Sequence, residues 1–231
     1  MKKFLGKKLL FVDIETVSEE VNLESFSEKN PDMCNIFKGY AQNIREKFED
    51  LDDNDLYKRY SGLYPEFGKI IVASFGFITP KGEMKIETFS GDEEELLVKV
   101  NSLLNRTEEL DFWLCGHNIR NFDLPFIAKR MFLYGIEPSR IIPTTNFKPW
   151  ELKIIDLKDM WQMGNPQNFS KLGLISTFLK LNSSKLGEVT NTSIYEEYWE
   201  KNNLNGIIKY CEDDVSALMN IVERLKNLKN G

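Results

Sequence analysis

Residues Leu9 to Val17 read LLFVDIETV, and the rest of the chain is read outward from them. The apolar run Leu9, Leu10, Phe11 and Val12 predicts a buried strand. Side chains alternate along a strand, so Asp13 and Glu15 share one face at its end. Two carboxylates held side by side in a core repel each other and are costly to bury unpaired. A hard divalent cation removes that cost, and magnesium or manganese sites are built from such oxygen ligands. The same pattern also reads as a strand whose acidic tip runs out into water, so the choice rests on what the distant segments add.

The chain has 231 residues, enough for one large domain, and we expect a single domain over 1–231. At 42% apolar and 29% charged residues it has the composition of a globular protein in water. No apolar run approaches the ~20 residues of a membrane span, so no membrane partner is expected. The start, MKKFLGKKLL, has lysines but neither a long apolar segment nor a small-residue cleavage site. Three widely spaced cysteines, Cys34, Cys115 and Cys211, suggest free thiols and a cytoplasmic location. With one histidine, His117, a multi-histidine zinc site is excluded, as is any Ser-His-Asp or Cys-His centre that does not use it.

A net charge of −6 at first argues against a nucleic-acid partner. Of the 36 acids and 30 bases, 12 and 6 fall in residues 18–66, which leaves 24 of each elsewhere. That acidic segment carries apolar residues at helical spacing, Ile36, Tyr40, Ile44 and Phe48. We read it as an insertion of two or three short helices packed on one edge of the domain.

Beyond it, Lys69–Ile78 and Met84–Phe89 flank a Pro80-Lys81-Gly82 turn and predict a hairpin. A helix starts at Ser90-Gly91-Asp92, with Leu96, Leu97, Val100, Leu103 and Leu104 on its apolar face. Asp111–Cys115 reads as a buried strand, followed by a helix over Leu124–Tyr134 with Pro125 in its first turn. Lys153–Asp156 is a short strand, and helices follow near 170–180, 192–200 and 204–228. The order predicts an α/β fold with a mixed sheet flanked by helices.

Two further segments place a carboxylate where a core element ends. In HNIRNFDLPF (117–126), Asp123 stands at a helix N-terminus, where it could also serve as an N-cap worth about 1 kcal/mol. In YCEDDV (210–215), Tyr210 and Asp214 are four apart and share a helical face that Leu218, Ile221, Val222 and Leu225 continue. Asp214 is therefore an acid on an apolar face, while Glu212 and Asp213 point elsewhere into solvent. Carboxylates from three separate elements are what a two-metal site needs, with ions about 4 Å apart around a phosphodiester.

The three segments together resemble the exonuclease motifs of the DEDD superfamily, whose fold is ribonuclease H-like. Asp13-Ile14-Glu15-Thr16 resembles the first motif, and Asn118 to Phe126, with Phe122, Asp123 and Pro125, the second. Tyr210 to Asp214 resembles the third in its tyrosine (DEDDy) form; the histidine form would place histidine where Lys209 stands. With PEFGKII at 65–71, the chain looks like stand-alone bacterial 3′–5′ exonucleases related to the proofreading domain of family-B DNA polymerases. The resemblance covers residues 8 to about 226.

It implies that Asp13, Glu15, Asp123 and Asp214 bind two Mg2+ or Mn2+ ions and that Tyr210 positions the attacking water. It implies that the partner is single-stranded nucleic acid, DNA in our reading, with Glu15 and Thr16 near the terminal 3′-hydroxyl. Asn118 and Phe122 become contacts to the terminal nucleotide, though Asn118 also reads as a turn former and Phe122 as core. Arg120, Lys129, Arg130 and Lys148 are candidate phosphate contacts or solvated bases, and His117 is a hydrogen-bonded turn residue. A ribonuclease-D-like RNA exonuclease, and a non-catalytic binding module on the same fold, are the alternatives. Protein partners are not indicated.

Overall fold

The computed structural model describes residues 6–45, 51–144, 148, 152–181 and 194–228. Its centre is strand β1 (Lys8–Ser18), flanked in a five-stranded sheet by β2 (Gly68–Ile78), β3 (Met84–Ser90), β4 (Phe112–Gly116) and β5 (Ile154–Asp156). The strand order is β3-β2-β1-β4-β5. The hairpin β2–β3 is antiparallel and β2 runs antiparallel to β1, whereas β4 and β5 run parallel to it. The sheet is thus mixed, as the sequence predicts.

Alternation along β1 divides the core between the two faces. Leu10, Val12 and Ile14 pack with helices α4 (Glu93–Glu109) and α5 (Asp123–Leu133). Leu9 and Phe11 pack on the other side with α7 (Leu172–Phe178) and α8 (Leu204–Lys226). Asp13 and Glu15 continue the second series and so point towards α8. That helix lies close on the sheet because β2 has no side chain at Gly76. A Cβ there would stand 2.5 Å from Val215 Cγ1 and 3.1 Å from Met219 Cε.

The acidic segment between β1 and β2 forms three helices, α1 (Leu23–Lys29), α2 (Pro31–Arg45) and α3 (Asp53–Tyr60), and a short turn at Ser61–Leu63. It has its own core, built on Phe26, Phe37, Leu56 and Tyr57 against Phe67. The face that α2 buries differs from the sequence reading. Ile36 and Tyr40 are about half exposed, whereas Cys34, Phe37 and Ala41 are buried. The aromatic cluster of Phe26, Phe37, Tyr57 and Phe67 attracts Phe37 inward. The side chain of Ile44 and all of Phe48 lie outside the described residues.

The far end of this segment is tied to the sheet. Gly62 lies against Val17, its carbonyl accepts the Thr16 hydroxyl at 2.6 Å, and Glu19 N donates to Phe67 O at 3.0 Å. All three cysteines are buried free thiols. Among the described residues no helix is long and apolar enough to cross a membrane.

Candidate active site

Four carboxylates meet where β1 reaches the N-terminus of α5 and the flank of α8. The β1–β2 register shifts between Glu15 and Thr16, a bulge at the strand's functional end. Glu15 is buried and Asp13 half-buried. Asp123 is the first residue of α5 but does not cap it; the N-cap is Phe122, which makes no capping bond. The Asp123 carboxylate instead accepts the backbone N–H of Ile14 at 3.1 Å, which seats it beside β1 between the two strand acids. Asp214, buried on α8, completes the group.

The electrostatics show how tightly the group is drawn. Burial pushes the Asp13 carboxyl well above the usual carboxylate range, and Asp214, Glu15 and Asp123 each push it further. Asp123 is pushed up to about 7 by burial, against the pull of its backbone hydrogen bonds. Tyr210 lies beside Asp214, Glu15 and Asp13, and burial followed by those acids drives its phenol strongly upward. It therefore stays protonated and keeps a proton to donate.

Cys211 also belongs to this place, and the sequence reading passed over it. Its Sγ lies 3.5 Å from Asp13 Oδ2, and one donor atom each of Asp13, Glu15 and Cys211 falls within 4.8 Å of the others. Burial, then Asp13 and Glu15, push the thiol upward, so without a metal ion it sits there as a neutral S–H. The signal was its spacing: Cys211 and Asp214 are three apart on one helix and so are surface neighbours. Behind Cys211 a polar row crosses the sheet. Asp13 is paired in register with Ser74 and Ser74 with Thr88, and the Ser74 and Thr88 hydroxyls are 3.0 Å apart.

The donor set is thus four carboxylates and a protonated thiol. Oxygen donors of this kind fit a hard divalent cation and do not fit a thiolate zinc site. The crowding of the acids points the same way, because buried like charges persist where a cation offsets them.

The remaining candidates fall into three places. The Thr16 hydroxyl is committed to Gly62 O. Asn118 has φ +67°, a left-handed turn position, as the turn reading expects; its Oδ1 accepts from Lys158 Nζ at 2.9 Å. Phe122 packs half-buried against the core, its ring centroid 5.6 Å from that of Phe126.

Arg120 pairs with Asp159 at 3.0 Å, Lys129 with Glu66 at 2.8 Å, and Lys148 is exposed. Arg130 is no phosphate contact. It is buried, its Nε and Nη2 bonded to Glu93 and its Nη1 to Pro65 O. Glu212 accepts from Thr88 Oγ1 at 3.0 Å, so it is held at the sheet and not simply solvated. Asp213 pairs with Lys209 at 2.7 Å. The His117 ring lies 6.1 Å from Phe169.

Asp156 is a second residue that sequence reasoning missed. Buried at the end of β5, it accepts from the N–H groups of Asn118 (2.9 Å), Arg120 (3.1 Å) and Lys158 (3.0 Å). One carboxylate thereby fixes the whole loop between β4 and α5. Its sequence signal was an acid closing an apolar strand just before a helix.

Residues 60–226 match a family model described as RNase_H superfamily. The match begins after β1, so it covers Asp123, Tyr210 and Asp214 but not Asp13 or Glu15. No curated protein sequence matches the chain. Among solved structures, the family B DNA polymerase from the hyperthermophilic archaeon Pyrobaculum calidifontis is similar over 95% of this chain, at 15% identity and a TM-score of 0.59. Exonuclease I of E. coli, in complex with a dT13 oligonucleotide, is similar over 96% of the chain at 10% identity and a TM-score of 0.47. The chain spans 24% of that polymerase chain and 41% of that exonuclease chain.

Proposed function

The chain belongs to the RNase_H superfamily, and from that premise we propose that it is a metal-dependent 3′–5′ exonuclease of the DEDDy type. It hydrolyses the terminal phosphodiester of single-stranded DNA and releases nucleoside 5′-monophosphates. The observation that carries this reading is the meeting of four carboxylates from three elements, with a protonated tyrosine beside them. The choice of DNA rests on the resemblance of the three motifs.

In this reading Asp13, Glu15, Asp123 and Asp214 hold two Mg2+ or Mn2+ ions. When bound, such ions would supply a water more acidic than bulk water and a charge that offsets the phosphate's. The carboxylates gain their strength as ligands from being fixed beforehand: Asp123 by Ile14 N–H, Asp13 by the Cys211 thiol. Tyr210 donates a hydrogen bond that orients the attacking water. Phe122 and Asn118 border the place of the terminal nucleotide.

Incubation with 5′-labelled DNA and RNA strands, in Mg2+, Mn2+ or chelator, tests the proposal. A ladder shortening from the 3′ end, present with metal and absent with chelator, is expected. Asp13→Ala and Asp214→Ala should abolish it while the protein stays folded. Near wild-type activity in either variant, or cleavage of RNA alone, would contradict the assignment.

A further inference from the structure

Beside the loop that Asp156 holds between β4 and α5 stands an exposed aromatic ring that the reading above does not use. Phe169 is 55% exposed. It is presented by a stitched turn: Asn165 N donates to Gln162 O, Asn168 N to Asn165 O, and Phe169 N to Gln167 O, all at 2.9 to 3.0 Å. The Gln162 side chain adds a bond to Pro166 O at 3.2 Å. The ring is therefore held out by an ordered backbone.

Its neighbours are those of a nucleotide site. Lys158 Nζ lies 5.1 Å from the ring centroid and bonds Asn118 Oδ1 at 2.9 Å. The His117 ring stands 6.1 Å away, tilted by 42°. Lys158 and Asn118 are both anchored through their N–H groups on Asp156, whose charge also acts on Asp123. One buried carboxylate thus ties the cation, the amide and the loop to the catalytic end of the sheet. An exposed π-face with a cation beside it is how proteins hold single strands without reading their sequence: the base stacks and the phosphate pairs.

We propose that Phe169 and Lys158 form a second nucleotide subsite, outside the four acids, that binds the strand one step upstream of the scissile bond. The base stacks on Phe169 and its phosphate meets Lys158. This rests on the exonuclease reading of the acid cluster, and the two can be separated by choice of probe.

Three measurements on Phe169→Ala and Phe169→Tyr decide it. The first is the affinity for a fluorescein-labelled oligothymidylate by anisotropy, with Ca2+ in place of Mg2+. The second is KM and kcat on a 5′-labelled oligothymidylate. The third is hydrolysis of the methyl ester of thymidine 5′-monophosphate, which has no ring on the leaving-group side, followed by release of the nucleotide. We expect Phe169→Ala to weaken oligonucleotide binding and raise its KM by about 5- to 100-fold, and Phe169→Tyr to retain both. The loss should be confined to the oligonucleotide, since the ester offers nothing to stack. Unchanged oligonucleotide affinity in Phe169→Ala, or an equal loss on the ester, overturns the subsite. A wild-type protein that hydrolyses neither substrate overturns the exonuclease reading, and the anisotropy still decides the subsite.

Discussion

Burial, and then the acids around it, keep the Tyr210 phenol protonated, and this fixes what it can contribute in the proposed reaction. It cannot act as the base near pH 7, so its contribution is one positioned hydrogen bond. Tyr210→Phe keeps the ring packed and removes only that bond. Single-turnover hydrolysis at saturating metal should slow by roughly 10- to 1,000-fold, with metal affinity little changed. An unchanged chemical step would make the tyrosine structural.

Asp123 gives a prediction about stability. Its carboxyl titrates at about 7 in the fold, against about 3.9 in an unfolded chain. The folded protein therefore binds that proton more tightly than the unfolded one. Its stabilising effect is complete below pH 4 and is lost as pH rises through about 7. In chelator, the Tm should fall between pH 5 and pH 8. Asp123→Asn keeps the acceptor for Ile14 N–H and removes the charge. It should flatten that fall and raise the Tm at pH 8 by about 2–4 °C. A metal-free Tm that is level or rising across the window would show that the acids are not crowded.

At the scale of elements, the site depends on how closely α8 approaches the sheet. Tyr210, Cys211 and Asp214 all ride on that helix, and Gly76 is the place where β2 gives it room. Gly76→Ala puts a methyl against the flexible end of Met219 and 2.5 Å from the branched Val215, which must shift in a packed core. Overpacking of this kind costs about 1–3 kcal/mol, and here it also lifts Asp214 from Asp13. We expect a lower unfolding midpoint in urea together with weaker Mn2+ binding by calorimetry. Loss of stability with metal affinity intact would mean that the acids do not depend on this contact.

Period and spacing made most of the elements legible, because they are local. The alternation at Leu9 to Val17 gave the central strand and the shared face of Asp13 and Glu15. The four-residue step from Tyr210 to Asp214 gave the face of α8. What escaped was set by partners far away in sequence. Nothing near Arg130 tells that Glu93 and Pro65 will enclose it. Asp156 draws its meaning from three N–H groups, two of them 38 and 36 residues upstream. In α2 the apolar residues recur on two faces, and only the aromatic cluster decides that Phe37 and not Ile36 turns inward.

For the whole molecule, the uneven charge is the organising fact. The excess of acids lies in the helical segment between β1 and β2, and the rest of the chain is balanced. That segment has a separate core but is stitched to the sheet through Thr16 and Gly62 and to α5 through Arg130. The site itself holds four more acids, which in the proposed reaction serve phosphodiester hydrolysis from a 3′ end once cations offset their charge. The most direct test is to incubate a single strand, labelled at its 3′-terminal nucleotide, with Mn2+ and identify the first labelled product by mass. A nucleoside 5′-monophosphate is expected, formed with metal, absent with chelator and absent in Asp214→Ala. A free nucleoside, a longer labelled fragment, or the same product in chelator would contradict it.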